Sequence, residues 1–343
     1  MGLPVMVLKY KSINLPFRHP FTISRGTKTH QPALLVELEH FGIKGYGEAP
    51  AITYYDITVD KMIADLEAKR SFIEKFAFTT PERYWHFLHH LFPHNSFLVC
   101  ALDMAGWDLY GKLNSRQLYS LWKLDIAKNP VTDYTIGIDT IENMVIKMKE
   151  KPWPVYKIKL GTPNDVQIIA ELRKHTSSIF RIDANAAWVE AEALDKIEAF
   201  AKLGVEFIEQ PLAREDWEGM KFLFKNSLLP LIADESCVAE HDVEKCHEYF
   251  HGINIKLTKC GGITPALRMI SKARELKMRV MVGSMNESSI GTSAIAQLLP
   301  LLDYADMDGP LLLAQDVAEG VAFENGKILY NKQHGIGVLV SPF

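Results

Sequence analysis

Three carboxylates recur along the chain at an interval that suits a single metal site. Asp183, Glu209 and Asp234 are 26 and 25 residues apart, and no histidine or cysteine stands at an equivalent point. An all-oxygen ligand set that leaves room for water and substrate oxygens favours Mg²⁺ over zinc. The spacing therefore predicts one Mg²⁺ ion per subunit. The alternative is that each acid pairs with a buried lysine or arginine.

Lysines precede and follow these acids at a similar interval. Lys159 lies 24 residues before Asp183, and Lys256 lies 22 residues after Asp234. Two lysines that approach one carbon from opposite sides suit a reversible proton transfer. Lys157 shares a strand face with Lys159 at roughly 7 Å, and a neighbouring cation favours the neutral amine, so we expect a lowered lysine pKa. The alternative is a Lys-x-Lys pair on a solvated strand edge.

The elements that position these groups have the pattern of a βα repeat from about residue 133 onwards. Short apolar strands alternate with helical segments, and charged residues stand at the strand ends. Eight strands are predicted: Tyr134–Ile138, Val155–Leu160, Phe180–Asp183, Val205–Glu209, Leu231–Asp234, Gly252–Leu257, Val280–Val282 and Tyr304–Asp308. This count predicts an α/β fold with a closed (β/α)8 barrel, in which catalytic groups lie at the C-terminal rim.

The first part of the chain has a different pattern. Alternating apolar residues up to about Pro50 indicate a small antiparallel sheet, and helical spacing follows from Thr58. We expect an α+β capping domain at residues 1–125, to which residues from about 321 to 343 return. The barrel domain is expected at residues 126–320.

The motifs at the strand ends resemble the enolase superfamily, in its muconate-lactonizing-enzyme subgroup. The resemblance lies in Lys157-Ile158-Lys159, Asp183-Ala184-Asn185, Glu209-Gln210-Pro211, Ala233-Asp234-Glu235-Ser236 and Asn254-Ile255-Lys256. It implies a modified TIM barrel in which the three acids bind Mg²⁺ and Lys159 and Lys256 remove and return the α-proton of a carboxylate substrate. We further expect Lys157 to supply charge, Glu235 to orient the Lys256 side and Asn185 to support the metal shell.

The last predicted strand carries a pair of acids, Asp306 and Asp308, on one face. Alone, the pair reads as a turn before Gly309-Pro310. It also resembles the signature of the dipeptide epimerases, with two carboxylates for a substrate ammonium. That resemblance implies an isomerase that inverts the C-terminal residue of an Ala-Xaa-type dipeptide by two-base 1,1-proton transfer through an enediolate. Cell-wall peptide turnover is the expected source of such dipeptides.

The C-terminal residue of the substrate stays open at this point. We expect further substrate contacts from Thr135, Arg25, Ser284 and Met285. Arg25 could pair with a glutamate, while Ala-Ala-like or Ala-Val-like dipeptides fit equally well. The alternatives are an o-succinylbenzoate synthase, N-succinylamino acid racemase or muconate cycloisomerase, none of which needs an ammonium clamp. A more remote alternative is a non-catalytic carboxylate-binding barrel.

Composition limits the partners. The chain has 38 Lys plus Arg against 42 Asp plus Glu, a net charge of −4, and no basic run that could follow a phosphate backbone. No segment approaches the ~18 apolar residues of a membrane span. We therefore expect a small dipeptide substrate, no nucleic acid and no membrane partner. Four scattered cysteines indicate a cytoplasmic protein, and the family resemblance implies a homo-oligomer as one possible assembly.

Overall fold

The computed structural model describes residues 6–24 and 26–341. It begins with a three-stranded antiparallel sheet in the order β1 (Val7–Ile23), β2 (Gly26–His40) and β3 (Ile43–Pro50). The β2–β3 hairpin turns through Phe41 and Gly42, whose φ angles of 54° and 76° are those of a tight two-residue turn. Alternate residues of β2 therefore face inward, where Leu34, Val36 and Leu38 join a buried cluster.

Four helices follow this sheet: α1 (Val59–Glu74), α2 (Pro81–Leu91), α3 (Ser96–Leu113) and α4 (Leu118–Leu121). Thr58, Thr80 and Asn95 cap the first three, because each side chain accepts a backbone N–H of the first turn. Helix α3 is buried almost throughout. A Cβ at Gly47 of β3 would lie 1.9 Å from the Ala101 carbonyl oxygen, so glycine there lets the strand pack directly on α3.

Eight parallel strands form the barrel in sequence order. They are β4 (Tyr134–Ile136), β5 (Val155–Lys159), β6 (Ile179–Asp183), β7 (Val205–Glu209), β8 (Leu231–Ala233), β9 (Gly252–Ile255), β10 (Arg279–Gly283) and β11 (Tyr304–Asp306). A parallel bridge between Thr132 and Ala305 joins the first strand region to the last. The expected (β/α)8 barrel is confirmed, although three strands end two residues before the predicted point, at Ile136, Ile255 and Asp306.

Nine helices accompany these strands: α5 (Ile141–Glu150), α6 (Asp165–Arg173), α7 (Glu190–Lys202), α8 (Trp217–Asn226), α9 (Asp242–Cys246), α10 (Leu257–Cys260), α11 (Ile263–Glu275), α12 (Ser289–Ala296) and α13 (Gly309–Leu312). Outward strand residues such as Ile158, Ile182 and Ile253 belong to the large core that the helices share. A separate cluster, made of Phe207, Ile232, Met281 and Tyr304, lies apart from that core. Above this four-residue cluster, the inward faces of the barrel strands carry polar groups.

Two short antiparallel strand pairs lie near the end of the described residues. Strand β12 (Ala318–Glu319) pairs with β15 (Leu339–Val340), and β13 (Ala322–Glu324) pairs with β14 (Lys327–Leu329). The backbone N–H of Ile336 donates to Asp108 of α3 at 2.9 Å, so the C-terminal segment contacts the N-terminal helices. The domain limits at 125 and 320 stay a prediction. Within residues 6–24 and 26–341, no helix is both long enough and apolar enough to span a bilayer.

Candidate active site

A cavity of about 370 Å³ lies at the C-terminal rim of the barrel, beneath the N-terminal sheet and the loops around it. The N-terminal part contributes apolar and aromatic side chains, including Phe21, Ile23 and Tyr54. The barrel contributes charged groups, namely Lys159, Asp234, Glu235, Lys256, Asp306 and Asp308. Both parts of the chain therefore shape one site.

The three predicted metal ligands meet next to this cavity, and Asp234 is the one of the three that lines it. Carboxylate oxygens of Asp183, Glu209 and Asp234 all lie within 4.8 Å of one another, and all three residues are buried. Asp183 and Glu209 are direct partners in the β6–β7 register, and Asp234 follows the end of β8. Three convergent anionic oxygens with no nitrogen or sulfur donor fit a hard divalent cation. Among the described residues, this is the one group of three such ligands found.

Lys159 and Lys256 flank the acids from two sides. The Lys159 Nζ lies 2.6 Å from Asp183 Oδ2, and the Lys256 Nζ lies 2.8 Å from Asp234 Oδ2. Lys159 ends β5 and Lys256 follows β9, so three strands separate them around the barrel. Both side chains line the cavity. The arrangement brings two primary amines to opposite ends of the acidic cluster.

Lys157 lies deeper on the same strand face and contacts three acids at once. Its Nζ is 2.6 Å from Asp306, 2.8 Å from Glu209 and 3.1 Å from Asp183, and the residue is 1% exposed. Burial by itself lowers the pKa of Lys157, but the carboxylates outweigh it and hold that pKa well above its usual range.

The expectation of a lowered pKa in the Lys-x-Lys pair is therefore wrong for Lys157. Lys256, for which no such expectation was made, has a raised pKa as well. Burial opposes the charged form of Lys256, yet the attraction of Asp234, Glu209 and Asp183 raises its pKa. Strand parity along β5 reveals the neighbouring ammonium but not the carboxylates that approach from other strands and raise the pKa of Lys157. A divalent cation among the same acids would act in the opposite direction on each ammonium.

The three acids differ in how well cations compensate their burial. Burial raises the pKa of Asp183, but Lys159 and Lys157 outweigh it and hold that pKa below its usual range. Burial also raises the pKa of Asp234, but Lys256 and Lys259 outweigh it, so that pKa is likewise lowered. For Glu209, burial and the Asp183 charge prevail over Lys157, so its pKa is raised. Glu209 is thus the acid of the three whose burial the neighbouring lysines do not offset.

Asp306 and Asp308 both reach the cavity but have different partners. Asp306 Oδ2 accepts from Lys157 Nζ at 2.6 Å, while Asp308 Oδ2 accepts the backbone N–H of Thr135 at 2.5 Å. Burial raises the pKa of Asp306, but Lys157 brings it below its usual range. Burial, followed by the Asp306 charge, raises the pKa of Asp308 to about 7. Of the two acids at the rim, Asp306 is therefore the one that is more readily ionised.

The remaining predicted site residues that the structure describes are close to the same cavity. The backbone N–H of Asn185 donates to Asp183 Oδ1 at 2.9 Å, and Asn185 and the buried Glu235 line the cavity wall. Thr135, Ser284 and Met285 also line it. Arg25 lies outside the described residues.

Sequence reasoning missed Lys259. Its Nζ donates to Asp234 Oδ1 at 2.6 Å and to the carbonyl oxygens of Asp234 and Cys237 at 2.5 and 2.9 Å. Lys259 lies in α10, three residues after Lys256, and is 2% exposed. The Lys-x-x-Lys spacing was the available signal, because it places a second lysine one helical turn from the first.

Sequence reasoning also gave no role to Asn254, whose Nδ2 donates to Glu209 Oε1 at 2.8 Å. The alternation along β9 did put Asn254 on the inward face together with Lys256. What the alternation could not supply was the partner across the barrel. Asn254 and Asn185 thus each fix one oxygen of an acid in the cluster.

Two protein-family models match the chain. Residues 8–124 match the N-terminal domain of mandelate racemase / muconate lactonizing enzyme, and residues 140–342 match the enolase C-terminal domain-like model. Together they cover both the N-terminal sheet with its helices and the barrel.

Individual relatives are similar over nearly their whole length. An L-Ala-D/L-amino acid epimerase from Flavobacterium johnsoniae is 52% identical over 333 residues, which is 97% of this chain and 99% of the relative. The substrate-liganded L-Ala-D/L-Glu epimerase from Bacillus subtilis superposes with a TM-score of 0.93 at 26% identity, covering 99% of this chain and 100% of that one. A dipeptide epimerase from Cytophaga hutchinsonii, complexed with Mg and D-Ala-L-Val, gives 0.92 at 26% identity over 99% and 96%.

Proposed function

The chain belongs to the mandelate racemase / muconate lactonizing enzyme family of the enolase superfamily, and from that premise we propose that it is a Mg²⁺-dependent dipeptide epimerase. The reaction is an isomerisation that inverts the Cα of the C-terminal residue of an Ala-Xaa-type dipeptide. One observation carries the proposal: two lysines flank a triad of buried acids from opposite sides, with an acid pair at the rim of the same cavity.

Asp183, Glu209 and Asp234 would hold the magnesium ion. When bound there, the ion supplies positive charge to the substrate carboxylate and so favours the enediolate that forms on loss of the α-proton. Asn254 and the backbone N–H of Asn185 keep Glu209 and Asp183 oriented towards the common centre. Lys157 adds a fixed cation beneath the acids and takes no proton from the substrate.

Lys159 and Lys256 act as the two bases. As a neutral amine, one lysine takes the α-proton, and the electron pair of the C–H bond passes into the carboxylate to give the enediolate. The opposite lysine, as an ammonium, returns a proton to the other face of the same carbon. The configuration is inverted, and the two lysines have exchanged protonation states. Glu235, which lines the cavity next to Asp234 in sequence, orients the Lys256 side.

Asp306 and Asp308 bind the α-ammonium of the substrate, while its carboxylate lies at the triad. The two anchors fix the length of the molecule, because a free amino acid is too short to reach both. Thr135, Ser284 and Met285 lie around the bound dipeptide, and Arg25 would pair with the C-terminal side chain only where that side chain is acidic. The 52%-identical relative is named as an L-Ala-D/L-amino acid epimerase, which is consistent with a wide choice of C-terminal residue in the substrate.

Hydrogen exchange at Cα in ²H₂O tests the proposal. A library of L,L, D,L and L,D dipeptides is incubated with the Mg²⁺-loaded enzyme and screened for a mass gain of one deuteron. We expect exchange and epimerisation of Ala-Xaa dipeptides. Lys159→Ala and Lys256→Ala should each abolish epimerisation, and each should retain exchange with one stereoisomer only.

The matched control is Lys112→Ala, since Lys112 also pairs with a buried acid, Asp108, but does not line the cavity. This variant should exchange both isomers as the unaltered enzyme does. Equal exchange of both isomers by Lys159→Ala and Lys256→Ala would contradict the two-base assignment. Turnover of an N-succinyl substrate with no dipeptide turnover would favour the racemase or synthase alternative.

We also propose domain limits, a cellular location and an assembly for this chain. The capping domain comprises residues 1–125 with a return from about 321, and the barrel domain comprises residues 126–320. The cytoplasmic location rests on four cysteines that are buried free thiols, and cell fractionation checks it. A symmetric homo-oligomer is the proposed assembly, which light scattering coupled to gel filtration measures.

A further inference from the structure

Glu48 is a buried acid of β3 that the mechanism above does not use. Its carboxylate accepts the backbone N–H of Ser288 at 3.0 Å, the Ser288 hydroxyl at 2.5 Å and the backbone N–H of Gly291 at 3.2 Å. The residue is fully buried. These donors are the cap and first turn of α12, where an anion satisfies N–H groups that have no partner within the helix. A residue of the N-terminal sheet thus binds the start of a barrel helix.

The segment just before α12 forms part of the cavity wall. Ser284, Met285 and Asn286 line the cavity, and Asn286 has a left-handed φ of 67°. The backbone N–H of Met285 donates to the Glu287 carboxylate, which closes a tight local turn. The Met285 side chain also packs against the buried cluster of the N-terminal part. We call residues 284–288 the β10–α12 loop.

The β10–α12 loop is also held against the acid pair. The backbone N–H of Ser284 donates to the Asp306 carbonyl oxygen at 2.7 Å. A Cβ at Gly309, which follows Asp308, would lie 2.4 Å from the Glu287 carbonyl oxygen. There is accordingly no room for the loop to move towards α13. Glu48 supplies the restraint on the opposite end, at Ser288 and Gly291.

We propose that Glu48 is a positioning residue that fixes the β10–α12 loop, so that Met285 limits the size of the dipeptide side chain lying against it. This inference rests on the proposed epimerase function and assigns to the N-terminal domain a part of its substrate selectivity. Glu48 acts through Ser288 and Gly291 and does not itself touch the substrate.

Amide hydrogen exchange and substrate selectivity test this role together, using Glu48→Gln in the Mg²⁺-loaded full chain. Gln keeps the shape of Glu48, but it loses the charge and turns an NH₂ group towards Ser288 and Gly291. The work is done well above pH 7, because burial raises the pKa of Glu48 to about 7. Loss of charge-assisted hydrogen bonds should speed exchange across residues 284–291 by about tenfold or more. The ratio of kcat/KM for large over small side chains should rise in Ala-Xaa and Xaa-Ala series.

Asp108→Asn is the matched control. Asp108 is equally buried and also accepts two backbone N–H groups, from Tyr46 and Ile336 at 2.9 Å each, but it does not line the cavity or touch the loop. It should leave both the exchange of residues 284–291 and the selectivity ratio unchanged. Met285→Ala should raise the ratio while leaving the loop protected. Ser288→Ala gives the same test if Glu48→Gln fails to fold, because it removes the hydroxyl that donates to Glu48 and that also accepts the backbone N–H of Ile290.

Normal exchange in the loop together with an unaltered selectivity ratio in Glu48→Gln and Ser288→Ala would overturn the inference. A selectivity change shared by Asp108→Asn would also overturn it, because the effect would then be general loosening. If the unaltered enzyme processes no dipeptide, the proposed function fails, and the exchange measurement still decides whether Glu48 holds the loop.

Discussion

Replacing Lys157 with methionine tests whether this residue is the fixed cation of the site. Its Nζ lies within 2.6–3.1 Å of three buried carboxylates, and the residue itself is 1% exposed. Methionine keeps most of the side-chain volume but removes the charge. Removing one partner of a buried ion pair typically costs about 3–5 kcal/mol, because the other partner is left charged and buried.

Two of the three acids that lose Lys157 retain other partners. Asp183 keeps Lys159 at 2.6 Å, and Glu209 keeps the Asn254 amide at 2.8 Å. We therefore expect Lys157→Met to lower the free energy of unfolding by about 3–5 kcal/mol in total, and not by that amount for each acid. Urea denaturation in the presence of EDTA measures this loss.

Added Mg²⁺ should reduce the difference between Lys157→Met and the unaltered protein. A ligand that binds only the folded state at 100 times its Kd adds about 2.7 kcal/mol. The variant lacks the ammonium that repels the ion, so it should gain more from Mg²⁺ than the unaltered protein does. Lys112→Met is the control, because its partner Asp108 lies outside the cavity and its stability loss should not depend on Mg²⁺.

Activity separates a charge role from a proton-transfer role. Lys157→Met should lose α-proton exchange with both stereoisomers to the same extent, whereas the Lys159 and Lys256 variants are expected to lose it on one side. A stability loss below about 1 kcal/mol in EDTA would refute the energetic reasoning. Stereoselective loss of exchange would show that Lys157 is itself a base.

Two further predictions concern other acids. Asp306→Asn and Asp308→Asn should each raise KM for dipeptides with a free α-ammonium. N-acetylated analogues, which lack that charge, should bind equally weakly to the unaltered enzyme and to both variants. An unchanged KM in both variants would contradict the binding of the ammonium by this acid pair. Burial raises the pKa of Asp103 from 3.8 to about 7 against the hydrogen bonds from Thr264, so the folded state keeps a proton that the unfolded chain releases. The free energy of unfolding should therefore fall by a few kcal/mol as pH rises from about 4 to 7, and Asp103→Asn should flatten this slope in urea titrations; a slope that persists would assign it to other groups.

The barrel was predictable because its signal is local and repeated. Each unit contributes one short apolar strand, and β7 was bounded correctly at Val205–Glu209. The strand that was predicted as Gly252–Leu257 ends at Ile255 and runs directly into a helix. Helix α10 begins at Leu257, immediately after Lys256. The apolar alternation continues through this junction, so periodicity alone could not place the end of β9.

The cation partners were harder to predict than the ligands. Strand parity gave the face of Lys157 and Lys159, but the pKa of Lys157 depends on Asp306, Glu209 and Asp183, which approach from three other strands. Glu48 carried no catalytic signal in the sequence, because its partner Ser288 is 240 residues away. Sequence reasoning therefore recovered the charged groups that the barrel strands present and missed groups, such as Glu48, that contact the barrel from outside it.

Depth along one strand accounts for the different roles proposed for the two lysines of β5. Lys157 pairs in register with Thr135 and Arg181, one layer below the rim, while Lys159 pairs with Asp183 at the rim itself. Lys157 does not line the cavity, so its ammonium can only neutralise the acids around it. Lys159 does line the cavity, so the same side chain two residues later can reach a substrate proton. The strand advances about 7 Å between the two lysines. A Lys-x-Lys pair on a barrel strand can thus supply a fixed charge from the first lysine and a transferable proton from the second.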